Sequence, residues 1–277
     1  MTTLFPKLEK SYKKKFPFKL CTTSFIYPDH YGRNVAMLGA YVDEIELLFF
    51  ESRGKSSLPS EREIGEIADV MTDLDISCNI HLPLDISLGD SDRGNRRHAV
   101  KTVKKILSFS NPLSPTSYTI HFTYEEKERT KIAVKNWQLR VIDSVDEILD
   151  NNGSAGIFSV ENLDYPFEWA EEIIYRMGLR VCIDIGHFIR RNESFKKTFE
   201  KNESITDILH IYGVSGERDH LSLQRLGKNH LRDLGMMLKN FSGTVSLEVF
   251  SFGNLKSSLA VLEEGLSRGF SDFHSSL

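Results

Sequence analysis

Short apolar runs alternate with longer stretches of helical period along almost the whole chain. The first run, Phe18–Ile26, leads past Gly32 and Asn34 into a short helix reaching Tyr41. The second, Val42–Phe50, ends in Glu51. Pro59 then opens a helix with Glu61 and Glu63 in its first turn, where the helix dipole favours acids. Ile76–Leu84 comes third, before a polar loop and a basic helix to about Phe109. Ser117–Phe122 is fourth, followed by a helix of roughly 25 residues. Ala155–Leu163 is fifth, with a helix over Pro166–Met177 closed by Gly178. Arg180–His187, Asp207–Val214 and Gly243–Phe250 complete the series, and a last helix runs from about Leu255 to Gly265. Runs such as Val181-Cys182-Ile183 read as parallel strands buried on both faces.

Eight strand–helix units without a compositional break predict an α/β protein, a closed (β/α)8 barrel forming a single domain over residues 1–277. Residues 1–17 are rich in lysine (Lys7, Lys10, Lys13, Lys14, Lys15) and are expected to be a solvated lead-in rather than a secretory signal. Beyond the strand–helix rhythm there is no internal repeat. In such a barrel, polar residues ending different strands meet at the C-terminal rim.

Composition narrows the class. With 40% hydrophobic and 27% charged residues among 277, the chain reads as an ordinary soluble one, without an apolar run long enough to span a membrane. Cys21, Cys78 and Cys182 are far apart and lie in apolar runs, as reduced core thiols of a cytoplasmic protein do. A net charge of −4 argues against a protein that grips nucleic acid through its phosphates.

The strand ends carry the candidate chemistry. Asp184 and His187 flank the end of the sixth strand, with Gly186 between them to let the backbone turn. By itself this pair reads equally as an Asp capping the next helix beside an incidental His. The same construction recurs, however: His81 ends the third strand, His121 the fourth, Glu161 the fifth, His210 the seventh and Glu248 the eighth. Arg218-Asp219-His220 follow the seventh. Buried unpaired carboxylates are costly whereas coordinated ones are compensated, so this recurrence predicts a metal centre.

That ordered set resembles the xylose-isomerase-like TIM barrels, and among them the endonuclease IV branch with its three zinc ions. The resemblance implies that His81 and His121 bind one metal, with Glu161 bridging to a second completed by Asp184, His210 and Glu248. It implies a third ion on His187 and His220. Where that family has an Asp two residues before the loop His, this chain has Arg218. Several stretches are similar to the cobamide-remodelling phosphodiesterases: Asp43–Ser52, His81–Asp85, Glu161–Leu163 with Tyr165–Trp169, Arg218–Leu223 and Leu247–Ser251. This second resemblance implies hydrolysis of the phosphodiester joining the corrin's aminopropanol arm to the lower-ligand riboside, a step in corrinoid salvage.

The residue types suit that reaction. Two metals about 3.5–4 Å apart polarise phosphoryl oxygens, activate water and stabilise a leaving alkoxide. Glu161 is expected to be catalytic as the bridge, with His187 and His220 as proton donors and Arg218 on the phosphate. Arg93, Arg96 and Arg97 are candidates to bind the diester, or equally a solvated helix start. Tyr165 and Phe250, with other aromatics near the strand ends, are candidates to line an apolar mouth for a corrin, although several must be core. His30 reads as a surface residue. Zinc suits the many histidines; manganese or iron accept the same donors. The competing readings are an abasic-site endonuclease, a sugar isomerase or epimerase, and a corrinoid-binding barrel without turnover. The expected partner is a small molecule rather than nucleic acid or a membrane, and the sequence leaves the oligomeric state open.

Overall fold

Pairing of the predicted strands closes into a barrel in the computed structural model, which describes residues 5–53, 58–149, 154–268 and 270. Strands β1 (Lys19–Thr23), β2 (Glu44–Leu48), β3 (Ser77–His81), β4 (Tyr118–His121), β5 (Phe158–Glu161), β6 (Arg180–Asp184) and β7 (Thr206–Ile211) are all parallel. The eighth barrel strand, Thr244–Leu247, is separated from β7 by a small antiparallel hairpin, β8 (Gly213–Ser215) and β9 (Arg218–Leu221), and is therefore β10. It pairs with both β7 and β1, which closes the ring.

Helices α1 (Tyr31–Leu38), α2 (Glu61–Asp73), α3 (Arg93–Ser110), α4 (Lys131–Leu149) and α5 (Glu168–Met177) follow the first five strands. α6 (Ile185–Arg190) and α7 (Phe195–Asn202) follow β6, α8 (Lys228–Leu238) precedes β10, and α9 (Phe252–Arg268) follows it. Their starts are built as the side chains dictate. Ser60, not Pro59, caps α2, in a reciprocal capping box with Glu63. The His30 side chain caps α1, and Asn34 lies inside that helix, binding Tyr27 through backbone N–H and carbonyl. Gly178 ends α5 at φ +68°, a left-handed conformation that glycine adopts without steric cost.

Two expectations are corrected. The sixth strand stops at Asp184, so His187 stands on the first turns of α6; the Asp184 carboxylate accepts from His187 N at 2.9 Å and makes the turn into the helix. The lead-in is not wholly solvated. Leu8 and Tyr12 are buried, Tyr12 N donates to Tyr41 O at 2.8 Å, and Asp43 takes the backbone N–H of Lys14 and Leu20. Lys10 and Lys15 both pair with Glu263 on α9. The segment runs from Tyr27, beyond the end of β1, where Phe5 and Pro6 pack, to the opposite end of the barrel, where Lys13 and Lys14 bind Leu74 and Asp43.

Side chains alternate across a strand, so one set faces the helices and the other the barrel interior. The helix-facing set is apolar: Ile45 and Leu47, Val181 and Ile183, Leu209 and Ile211 are wholly buried. The interior set is largely polar, with Leu48 and Ile208 among the exceptions. Glu44, Asn79 and Thr244 are hydrogen-bonded to one another low in the barrel, and Glu46 meets Ser246 above them. The donors of the rim crown this polar column.

Candidate metal centre

Strand register fixes the donors at one height. His121 pairs with Glu161 across β4–β5, and Asp184 with His210 across β6–β7. Seven of the eight predicted ligands gather at the C-terminal end of the barrel, most of them facing Glu161. His81 Nε2 and His121 Nε2 each lie 3.1 Å from Glu161 Oε2, and His210 Nδ1 is 3.4 Å from the same oxygen. The other oxygen, Oε1, faces His187 Nε2 at 3.7 Å, and that nitrogen is also 3.7 Å from Asp184 Oδ2. The same His210 Nδ1 is 3.5 Å from Glu248 Oε2.

Three donor groups result, each compact enough for one ion: His81, Glu161 and His210; Glu161, Asp184 and His187; Asp184, His210 and Glu248. Glu161 and Asp184 are each shared, as bridging carboxylates are. The orphaned atoms agree with a cation here. His121 Nε2, His210 Nδ1 and Glu248 Oε2 are buried and lack a hydrogen-bond partner, and buried polar atoms are rarely left so. The donor set fits divalent metal.

Outer contacts orient the imidazoles. His81 Nδ1 is 2.9 Å from Leu82 O, and His220 Nδ1 is 2.9 Å from Glu248 O, which assigns the proton to Nδ1 and leaves each Nε2 as the free donor. Asn162 bonds both the N–H and the carbonyl of Asp184, tying β5 to β6. The Tyr212 hydroxyl lies 2.9 Å from both Asp184 oxygens.

Electrostatics follow from burial and crowding. Burial opposes charge on Glu161, but His121 and His210 outweigh it and hold the carboxyl well below its usual range. Burial also disfavours an imidazolium at His210, yet the Cys182 thiol and the Glu46 and Glu248 carboxylates raise it well above the ordinary value. His81 is raised, against burial, by Glu161; His187 is raised, against burial, by Asp184 and Glu161. His121 is pushed down by burial. Glu248 is pushed well up by burial and Asp184 is raised by burial, each in spite of a neighbouring imidazole. Seven groups thus compete for protons in one pocket, as the ligands of a metal centre do.

The remaining predicted residues are placed less centrally. His220 belongs to the β9 end of the hairpin, at φ +50°, a left-handed backbone that costs a non-glycine residue about 1–3 kcal/mol. Its Nδ1 is 3.7 Å from Glu248 Oε2, outside the three donor groups. Asp219 turns away to Arg190, 2.6 Å off, and Arg218 is exposed beside it. Arg93 and Arg97 are exposed on the first turn of α3, while Arg96 donates to the carbonyls of Asp90 and Ser91. The expectation that Tyr165 faces a substrate is corrected: it is buried, donates to Phe122 O at 2.8 Å and stacks on Trp169.

Phe250 does stand at the rim, 39% exposed, 4.7 Å from the His220 ring. It continues through Phe50 to Phe25, with ring centroids 6.1 and 5.1 Å apart, as an aromatic wall beside the donors. Sequence reasoning missed Phe25, which it placed inside the first strand, and Glu46, whose Oε1 lies 2.9 Å from His210 Nε2. The available signal for Glu46 was a carboxylate alternating with Ile45 and Leu47 in a buried strand.

A closed parallel barrel with a carboxylate–imidazole cluster on its rim defines a class of (β/α)8 proteins with a candidate metal site. Within that class the chain belongs to the xylose isomerase-like TIM barrel family, whose model matches residues 33–268. No curated protein matches it by sequence. Among solved structures it is similar to a D-tagatose 3-epimerase-like protein (TM-score 0.76, 16% identity, 92% of this chain and 100% of that one). Endonuclease IV from Thermus thermophilus superposes with a TM-score of 0.65 at 16% identity, over 89% and 99% of the two chains. The IolI protein, solved with a zinc atom, superposes at 0.67 and 15% identity, over 94% and 100%. Among the described residues no helix is long and apolar enough to cross a membrane.

Proposed function

We propose that this chain is a metal-dependent phosphodiesterase that opens the nucleotide loop of cobamides, releasing the lower-ligand riboside and leaving the phosphate on the corrinoid. The observation that carries the reading is the convergence of His81, His121 and His210 on Glu161 Oε2, with Asp184 and Glu248 grouped around the same His210. Two donor sets joined by one carboxylate are what an in-line displacement at phosphorus requires, because attacking and leaving oxygens both need charge stabilised. Zinc, as in the IolI structure, suits the histidine-rich set; manganese or iron would accept it.

His81, His121 and Glu161 would hold one ion, and Glu161, Asp184, His210 and Glu248 a second. When bound, these ions supply Lewis-acid stabilisation of the phosphoryl oxygens. The chain's own residues do the rest. His187, outside these two ligand sets with its Nε2 3.7 Å from Glu161 Oε1 and from Asp184 Oδ2, would give a proton to the ribose oxygen as the P–O bond breaks. His220, with Nδ1 held by Glu248 O, presents Nε2 for the same task. The proton lost by the attacking water restores the imidazolium. Arg218 supplies a mobile guanidinium for the phosphate. Phe25, Phe50 and Phe250 offer a wall for a large planar ligand, with Arg93, Arg96 and Arg97 farther out as candidates for its phosphate.

A sugar epimerase is the second reading. Glu161 with Asp184, His210 and Glu248 is enough for a single ion, and several solved neighbours are titled epimerases. It leaves His81 and His121 without a task. Incubating the metal-loaded protein with a cobamide, an abasic DNA duplex and a set of ketohexoses decides the matter. A corrinoid phosphate product supports the proposal; nicked DNA or an epimerised sugar, with cobamide untouched, overturns it.

A further inference from the structure

We propose that Glu46 is the positioning residue of this metal centre: it takes the Nε2–H of His210 and so fixes Nδ1 as the nitrogen offered to the metal. β2 and β7 are not neighbours in the barrel; β1 and β10 stand between them. The two side chains meet only across the interior, where both are wholly buried.

His210 Nδ1 faces the donors, 3.4 Å from Glu161 Oε2 and 3.5 Å from Glu248 Oε2. Nε2, on the opposite side of the ring, is 2.9 Å from Glu46 Oε1. The approach is close enough for a hydrogen bond but not aligned for one, and neither atom has another partner. Among the described residues each atom lies against the other, and the buried Cys182 thiol also stands beside the His210 ring. Glu46 is itself anchored, because its second oxygen accepts from Ser246 Oγ at 2.6 Å, and Ser246 lies beside His210 in the sheet register.

The chemistry gives the arrangement a purpose. A ligating imidazole must be neutral at the metal-binding nitrogen and carry its proton on the other. A carboxylate on that other nitrogen selects the tautomer, fixes the ring and raises its basicity. His81 and His220 obtain this service from backbone carbonyls. The inward-facing His210 has no carbonyl within reach of Nε2, and Glu46 takes that place. Glu46 cannot readily serve as a ligand itself, since the ring of His210 separates it from Glu161 and Glu248.

This inference rests on the metal-binding part of the proposed function and not on its substrate. The test uses wild type, Glu46→Gln and Glu46→Met, each purified metal-free. Cobalt(II) is titrated in and followed by visible absorption, zinc affinity is measured against a chromophoric chelator, and the unfolding midpoint is taken without metal. We expect metal affinity to fall about 10–100-fold, more for Met than for Gln, with a shifted cobalt spectrum. The metal-free midpoint should fall, because the buried His210 loses the carboxylate that faces it, so affinity is compared at a temperature where every variant is fully folded. Affinity within about twofold of wild type and an unchanged spectrum would overturn the proposal. So would a loss of affinity with an unchanged cobalt spectrum, which marks a merely structural carboxylate. If both variants fail to fold, Ser246→Ala leaves Glu46 present but unanchored; a smaller loss of cobalt affinity supports the proposal and none overturns it. A wild type that binds no metal removes the metal-centre reading and this inference together, whereas binding equal in wild type and variants removes this inference alone.

Discussion

The ring of Tyr212 fills the space that a side chain at residue 186 would need, and Gly186 is what admits it. The hydroxyl thereby reaches both Asp184 oxygens. Gly186 is thus required for close approach and not for a turn, since it lies in ordinary helical backbone at the start of α6. Gly186→Ala should destabilise the protein by about 1–3 kcal/mol through overpacking. It should also weaken metal binding, because Asp184 loses the group that orients it. Denaturant unfolding and metal titration of the same samples measure both effects; an alanine variant as stable as wild type refutes the steric account.

Glu161→Gln keeps the size of the bridge and removes its charge. The expected outcome is loss of at least about a hundredfold in phosphodiesterase activity, with a folded barrel by circular dichroism. Metal content should drop as well, since two of the three donor groups contain Glu161. Full metal content in this variant would show that the carboxylate does not bridge.

The metal-free protein should lose stability as pH rises. His81, His187 and His210 have raised folded-state values, so their stabilisation is complete below the unfolded value of about 6.5 and is lost as pH climbs through the folded ones. Glu248 and Asp184, also raised, act in the same direction. His121 is lowered and opposes them with one proton. Glu161 works at the acid end, where its stabilisation is lost as pH falls below the ordinary carboxylate range. Metal binding inverts the upper limb, because neutral imidazoles bind and protons are released. Thermal unfolding between pH 6 and pH 9, with and without chelator, should therefore give slopes of opposite sign. Parallel slopes would contradict the assignment of these residues as ligands.

The third site should be the weak one. Asp219 is taken by Arg190, Arg218 brings a positive charge, and His220 stands outside the donor groups. Metal analysis of protein purified without chelator should find about two ions per chain. Three tightly held ions would show that the Glu161–Asp184–His187 group holds an ion of its own and that the third site is not weak.

Phe25→Ala and Phe250→Ala remove parts of the aromatic wall without touching the donors. For a corrinoid substrate each should raise KM about tenfold and leave kcat nearly unchanged, the mark of binding shared by ground and transition states. Unchanged KM values for cobamide would remove the wall from the proposed substrate site.

Much of this protein is local and therefore readable from its residues in order. Strand runs, Gly178 and the acidic first turn of α2 are decided by neighbours a few positions away, and they specify the barrel. His81, His121, Glu161, Asp184 and His210 end barrel strands and Glu248 directly follows one, so once the strands are known their meeting at one rim follows from parallel closure. What needed the tertiary structure depends on distance across the closed ring or on packing. Glu46 and His210 are three strands apart and meet only because the interior is narrow. Tyr165 and Phe250 look equivalent in sequence, yet one is buried on Trp169 and the other stands at the rim. The lead-in lysines read as solvated because their partner, Glu263, lies at the other end of the chain. The sequence alone determined which groups reach the rim, since that follows from strand periodicity. Only the closed barrel decided which atoms face one another there, because register, ring orientation and side-chain room are set by packing among residues distant in sequence.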